Sequence, residues 1–404
     1  MADLNTLLPD CLPVQPPLGD ETLGRIPAKR GVALLSGAED QPILLLPAAD
    51  LRSRIRNRVS QPTEEELTRM PDLAEVTRSV RWLLTTSHFE TDLSYFELAR
   101  QIWPDRYREM IAFKPPWFVQ VDPSEPRPHF RRGRDVLQRA GACVGPFVSA
   151  RSADKFIGII EDVLGLCRDP RCLAQAPDAP VCTYGQMGRC LRPCDGTISL
   201  ETYRQHVVEA AALAQGSIEP VHQELAGRMK QAAAELKFEQ AAAIKSRLGR
   251  LDELGDAEFR HVRPRQQLGY VTIQRGRRHQ VKVFLVWAGR VASAGLIDFP
   301  PKKQTIEPIL CQMEQMARQA GSWSLPERLR MGLVAQMLGS SPSRGGVWLE
   351  WAPGLDPEEV IGATERACEQ LKVSPRPRRK KKQAPKGEAK TDTVTEAHRD
   401  PEAS

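Results

Sequence analysis

The 404-residue chain has little aromatic content, 6% Phe, Trp and Tyr, and no apolar run that approaches the width of a bilayer. A membrane-spanning helix needs roughly 20 consecutive apolar residues, so no membrane is expected among its partners. The first residues, Met1 to Gly19, have no basic segment ahead of an apolar one; they hold Asp3, Asp10 and several prolines and do not read as a signal peptide. A cytoplasmic location is therefore expected, where thiols stay reduced and nine cysteines call for an explanation other than disulfides. The low aromatic share argues against gripping single strands by extended base stacking. No internal repeat is evident.

What is present fits a globular protein: 41% of residues are apolar and 27% charged. The length allows about two to four domains of ordinary size. A net charge of +6 leans toward an anionic partner, but six of the seven residues from Arg376 to Lys382 are basic and carry much of it. That run lies among Pro, Gly, Thr and Glu, so residues 374–404 read as a disordered basic tail, either solubilising or loosely phosphate-binding.

Upstream, Gly31-Val32-Ala33-Leu34-Leu35 and Ile43-Leu44-Leu45-Leu46 read as strands around a polar turn, with Pro47 ending the second. Asp50 is a plausible N-cap for a basic helix holding Arg52, Arg54, Arg56 and Arg58. Residues 63–110 read as mostly helical. Trp117–Val121 and His129–Arg131 read as strands, and a helix follows over 152–166 with Phe156, Ile159, Ile160, Val163 and Leu164 on one face. Beyond 198 the pattern is helical to 254. A strand pair, 269–273 and 281–287, continues into 291–299, and helices over 304–319, 325–338 and 356–371 surround a short strand at 347–351.

Five of the nine cysteines fall close together: Cys167, Cys172, Cys182, Cys190 and Cys194. Structural zinc usually takes two pairs of closely spaced ligands, and only Cys190 and Cys194 fit that habit. Dispersed thiolates suit an iron–sulfur cluster, whose core is larger. The fourth ligand beside Cys182, Cys190 and Cys194 would be Cys167 or Cys172. Buried structural thiols are the plain alternative, but Arg189, Arg192 and Asp195 make an apolar pocket a poor description. Arg189 and Arg192 suit phosphate contacts as well as thiolates.

After the cysteines, Leu225, Met229, Ala233 and Leu236 recur at helical spacing. A second stripe, Phe238, Ala241, Ala242, Lys245, Leu248 and Leu251, is out of phase with the first. The phase change near Lys237 marks an antiparallel helical hairpin. Its many alanines permit close approach but cover little area, so the hairpin gains from pairing with another element.

Cys182-x7-Cys190-x3-Cys194 within Gln-Met-Gly-Arg-Cys-Leu-Arg-Pro-Cys resembles the cysteine motif of the DNA-repair nuclease subunit UvrC. The hairpin sequence from Leu225 to Ala242, including Phe238-Glu239, is similar to the UVR motif by which that family docks onto a matching hairpin of the UvrB helicase. The resemblance implies Leu225, Met229, Leu236, Phe238, Glu239 and Ala242 as partner contacts, and Arg52, Arg54, Arg189 and Arg192 as DNA contacts. It also implies an iron–sulfur cluster, with zinc as the alternative. Neither Cys167 nor Cys172 stands at the family's usual spacing, and shorter homologues with a more distant first ligand favour Cys167.

The N-terminal region should then match the family's GIY-YIG nuclease domain, and here the sequence departs. The first motif tyrosine falls on Ala33, the second motif on Leu44-Leu45-Leu46-Pro47, the metal-binding glutamate on Tyr95, and the closing asparagine near Arg108. Glu90 and Glu97 lie close by. Arg54 alone matches the catalytic arginine. An arginine can neutralise a phosphate, but without the tyrosines and the carboxylate no group remains to activate water or hold a divalent metal. Such a metal is expected only if nuclease activity survives through Glu90 or Glu97.

The expected organisation is thus α+β and multidomain. A flexible N-terminus spans 1–23 and a degenerate GIY-YIG-like mixed sheet with helices spans 24–110. A linker and cysteine-ligated cluster region (111–200) precedes a helical region with the UVR hairpin (201–256), a truncated C-terminal α+β region (257–373) and the disordered tail. The function implied is a UvrC-like repair protein with a silent incision site. An adaptor that binds metal and docks its hairpin on an unrelated ATPase is the competing reading.

Overall fold

The computed structural model describes residues 3–60, 72–135, 141–319 and 323–374. The tail expected beyond 374 lies outside them. Three four-stranded antiparallel sheets organise the chain, with orders β1-β4-β2-β3, β6-β5-β7-β8 and β11-β10-β9-β12. The strands are β1 (Asp10–Pro13), β2 (Gly31–Ser36), β3 (Pro42–Ala48), β4 (Ser79–Leu84), β5 (Trp117–Val121), β6 (Arg131–Gly133), β7 (Ala142–Phe147), β8 (Arg263–Pro264), β9 (Gly269–Arg275), β10 (Gln280–Trp287), β11 (Arg290–Asp298) and β12 (Val347–Glu350). The longer helices are α1 (Leu51–Ser60), α2 (His88–Ile102), α3 (Ala150–Leu164), α4 (Leu200–Ala214), α5 (Ile218–Ala234), α6 (Phe238–Asp252), α7 (Lys303–Arg318), α8 (Leu325–Leu338) and α9 (Pro357–Gln370).

In the first sheet every residue of β2 is buried, which explains why Gly31–Ser36 reads as a continuous apolar run and not as an alternation. Successive side chains point to opposite faces. Ala33 and Leu35 join Leu51 and Ile55 of α1, and Val32 and Leu34 join Phe89 and Phe96 of α2. Asp50 caps α1, its carboxylate accepting from the Ser53 backbone N–H and hydroxyl at 3.0 Å each. Those bonds hold its carboxyl below the ordinary aspartate range. Pro47 does not end β3, which runs on to Ala48. The strand lies at the sheet edge, where the missing proline N–H is tolerated.

Two expectations for this region fail. The N-terminus expected to be flexible over 1–23 supplies the edge strand β1, registered from Asp10↔Trp82 to Pro13↔Ser79, and a helical turn at Asp20–Arg25. The stretch expected to be mostly helical holds β4, which sits between β1 and β2. The buried Arg81 disguised that strand; its guanidinium is held by Asp40 at 3.0 Å and by the Asn5 side chain at 2.8 Å. The segment after it is helical as expected, as α2.

The middle sheet carries the central core. Phe156, Ile159, Ile160 and Val163 of α3 pack with Phe147 of β7 and with Tyr203 and Val207 of α4. Its outer strand β8 comes from beyond the helical hairpin, pairing Val144 with Pro264. In the third sheet β9, β10 and β11 form the expected meander, and β12 returns to pair with β9. Helices α7 and α9 cover one face of that sheet. The other face, with Tyr270, Phe284 and Val286, packs on α2 and α8. Helix α2 therefore lies between the first and third sheets, and the Phe89 ring meets Phe284 and Trp348 edge-on at 5.3 and 5.5 Å. The regions expected as separate units over 24–110 and 257–373 share one core. Among the described residues, no helix is long and apolar enough to cross a membrane.

Candidate functional site

The cysteine segment leaves α3 through Gly165, whose φ of +67° forms the left-handed helix cap that glycine accepts without strain. Backbone bonds then fold the segment on itself: Leu191 N–H donates to the Gly165 carbonyl at 2.8 Å, and Ala179 N–H to the Cys194 carbonyl at 2.9 Å. Cys167 and Cys194 are buried, while Cys172, Cys182 and Cys190 are partly exposed. The Cys167 backbone N–H donates to the Tyr203 hydroxyl of α4 at 3.3 Å, which fixes the segment against the middle core.

Cys167 lies near enough to Cys182, Cys190 and Cys194 for negative charge on those thiols to raise it. Burial is the larger effect and pushes Cys167 up to about 12. Burial raises Cys190 and Cys194 as well, and the nearby Cys182 thiol adds to the shift of each. Cys172 is raised by burial and then by Asp169, and it senses Cys182 and Cys194 more weakly. In number and kind the donors suit a thiolate-held group. As they stand, no three or more His, Cys, Asp or Glu side chains converge to hold a metal ion among the described residues. Arg192 is engaged by Asp195, its Nε at 2.9 Å. Arg189 is exposed.

The hairpin is formed by α5 and α6, which run antiparallel. Leu225, Ala232, Ile244 and Leu251 are buried along its inner face, and Leu225, Ile244 and Leu251 belong to the middle core with α3. Full burial of such a side chain stabilises by about 1.5–3 kcal/mol, so the base of the hairpin is anchored and does not stand alone. Leu225 is thus turned inward and Met229 is half-buried beside it. At the opposite end Leu236, in the left-handed region at φ +59°, is 73% exposed and Phe238 is 65% exposed. Glu239 and Ala242 are exposed as well. Of the six expected contacts, four face solvent at or near the tip and two serve the base.

The structure places the N-terminal positions singled out in the sequence as follows. Ala33 is buried mid-strand, opposite Leu46 on one side and Trp82 on the other. Arg54 is exposed on α1, whereas Arg52 donates its Nε to the Ile26 carbonyl at 2.7 Å. Tyr95 donates its hydroxyl to the Met110 carbonyl at 3.2 Å, and burial raises its pKa. Both nearby carboxylates have cationic partners from the C-terminal region. Glu90 is buried, accepts from the Thr86 N–H at 2.7 Å and the Thr86 hydroxyl at 2.8 Å, and pairs with Lys282. Glu97 is bound by Arg330 at 2.5 Å and by Arg100 at 3.0 Å. Sequence reading missed Lys282 and Arg330, because nothing local marks a partner so distant along the chain.

Residues 116–213, which hold three of the four middle-sheet strands, α3 and the cysteine segment, match the model of the UvrC/Cho excinuclease middle domain. The UvrABC system protein C of Desulforudis audaxviator is 27% identical over 331 residues, covering 79% of this chain and 53% of the relative. That of Synechocystis is 28% identical over 284 residues, covering 69% and 44%. The namesake in Methanothermobacter thermautotrophicus is 24% identical over 344 residues, covering 83% and 55%. The chain thus spans about half the length of the curated relatives it matches. No solved structure matches it. Through its centre the chain is thus similar to the UvrC/Cho middle-domain model, and along most of its length to UvrABC system protein C of several organisms.

Proposed function

We propose that the chain acts in nucleotide excision repair as a UvrC-like protein that binds DNA and docks on a UvrB-type helicase, without cutting DNA through its N-terminal domain. The observation that carries the docking is the exposed pair Leu236 and Phe238 at the tip of a hairpin whose base is locked by Leu225, Ile244 and Leu251. Exposed apolar side chains on a rigid element are the anchors that helix-to-helix recognition uses. A hairpin of the same kind on the partner would cover them.

The silent-site reading is supported by the residues at the other motif positions. Ala33 and Leu44 carry no group that can bind a divalent metal or activate water, and the Tyr95 hydroxyl is bound to the Met110 carbonyl and raised by burial. Glu90 and Glu97, the carboxylates closest in sequence, are neutralised by Lys282, Arg330 and Arg100. The cysteine segment would hold an iron–sulfur cluster through Cys182, Cys190, Cys194 and Cys167, whose buried thiol lies near enough to feel all three of the others. Such a group would pin the segment beside the hairpin.

The test combines the purified full chain with a UvrB-type helicase, a divalent metal and a lesion-bearing duplex. Complex formation that is lost in Leu236→Ser/Phe238→Ser, with no incision, is the expected result. Incision that disappears in Arg54→Ala would sink the silent-site reading. Absence of DNA binding at low salt would favour the ATPase-adaptor reading instead. Iron, sulfide and visible absorbance of anaerobically purified protein decide the cofactor; stoichiometric zinc would refute the cluster.

A further inference from the structure

Between α3, the cysteine segment and α6 lies a cleft of about 540 Å³, lined by Asp162, Arg189, Ser246, Arg247 and Arg250 among others. Its charges are unequally matched. Arg250 is held by both Glu253 oxygens at 2.7 Å and lies 3.3 Å from Asp162, which also pairs with Arg168. Asp162 therefore already serves two guanidiniums. Arg189 and Arg247 have no carboxylate at ion-pair distance among the described residues. Arg247 is half-buried, and its pKa is lowered by burial and then by the positive charge of Arg228, which Asp162 offsets only in part. A half-buried cation repelled by its neighbour is costly unless an anion joins it. Gly188, at φ +65°, makes the turn immediately ahead of Arg189 on the rim.

We propose that this cleft is a binding site for a DNA backbone phosphodiester, gripped by the guanidiniums of Arg189 and Arg247 with the Ser246 hydroxyl as a further donor. Guanidinium groups suit phosphate oxygens because their donors form a planar fork. The cleft exceeds the size of one phosphate group, so it can hold a stretch of backbone. It also joins two parts of the molecule: Arg189 belongs to the cysteine segment, and Ser246 and Arg247 belong to the docking hairpin. A phosphodiester there would bridge them, so DNA contact and partner docking would meet on α6. The assignment rests on the DNA-binding reading above and specifies one place where it happens.

The experiment measures binding of a labelled duplex to the full chain by fluorescence anisotropy across a salt series. Three proteins are compared: the unmodified chain, Arg189→Gln/Arg247→Gln, and the charge-matched control Lys303→Gln/Arg318→Gln on α7. Each phosphate contact contributes about 0.9 to the slope of log K against log salt. The expected loss in the cleft variant is thus close to about 1.8 in slope if both contacts are lost, with affinity down about tenfold or more at low salt. The control keeps the original slope. An unchanged slope in the cleft variant, with normal DNA binding by the unmodified chain, overturns the site and leaves the DNA reading intact. No binding by the unmodified chain overturns both. Inorganic phosphate that raises the melting temperature only when the two arginines are present, without DNA binding, would assign the cleft to a free anion and overturn the phosphodiester. Tighter binding of RNA of the same sequence than of DNA would overturn the choice of polymer. The cleft variant should melt no lower than the unmodified chain; a lower melting temperature would mark the arginines as internal props and refute the proposal.

Discussion

Replacing Lys282 by Met should destabilise the chain far more than replacing Lys282 and Glu90 together. Glu90 is only 7% exposed, on the helix that lies between the first and third sheets, and Lys282 reaches it from β10. Removing one partner of a buried ion pair costs about 3–5 kcal/mol, because the other charge stays buried without compensation. Here the carboxylate keeps the two Thr86 hydrogen bonds and the lysine side chain is 22% exposed, so the cost falls just below that range. The expected cost of Lys282→Met is about 2–3 kcal/mol. At about 2–4 °C per kcal/mol for a larger domain, the melting temperature should fall by about 5–10 °C. Glu90→Gln/Lys282→Met removes both charges, while the glutamine oxygen can still accept from Thr86. Its stability should return to within about 1 kcal/mol of the original, giving a coupling of about 1–2 kcal/mol in the double-mutant cycle. Urea midpoints and thermal melts at neutral pH provide the assay. If Lys282→Met melts with the unmodified chain and the cycle shows no coupling, Glu90 is solvated and free, and its exclusion as a metal ligand fails with it.

Three further outcomes follow from the geometry. Leu251→Ala, at the anchored end of the hairpin, should cost about 2–5 kcal/mol and increase protease cleavage between α5 and α6, seen by urea unfolding and limited proteolysis. Leu236→Ser/Phe238→Ser, at the exposed tip, should change stability by less than about 0.5 kcal/mol while abolishing helicase binding in a pull-down. Burial pushes the Glu161 carboxyl up to about 7, opposed by Arg168 and helped by Asp162 and Asp154. A carboxyl raised on folding favours the folded state below its unfolded pKa near 4.5, and that contribution is lost as pH rises through about 7. Glu161→Gln should therefore melt higher than the unmodified chain at pH 8, and the difference should shrink toward pH 5; equal melting at pH 8 would contradict it.

Much of this molecule was legible along the sequence. The β9–β10–β11 meander shows itself through long apolar strands and short turns. The hairpin is visible because two helical stripes change phase at Lys237. Other features were hidden for physical reasons. Strand β4 carries Arg81, a charge that is buried only because Asp40 and Asn5 meet it from elsewhere. The short β8 joins the middle sheet after more than a hundred residues of intervening chain, and two residues carry no periodicity. The cysteine motif pointed to the segment, but its two flanking arginines differ in ways spacing does not reveal: Arg192 is paired with Asp195, and Arg189 faces an open cleft. The burial of Leu225 was invisible for the same reason that it matters, since a stripe at helical spacing does not say which neighbour it meets.

The position of α2 has a consequence for how this protein can be cut and recombined. A helix with aromatic side chains on two sides is a shared wall, and neither room stands when it is removed. A fragment beginning after residue 110 would leave Tyr270, Phe284 and Val286 facing water, and a fragment ending there would expose Phe89 and Phe96. The N-terminal region thus supplies, through α2, a building part of the C-terminal half, so its deletion should unseat the third sheet as well.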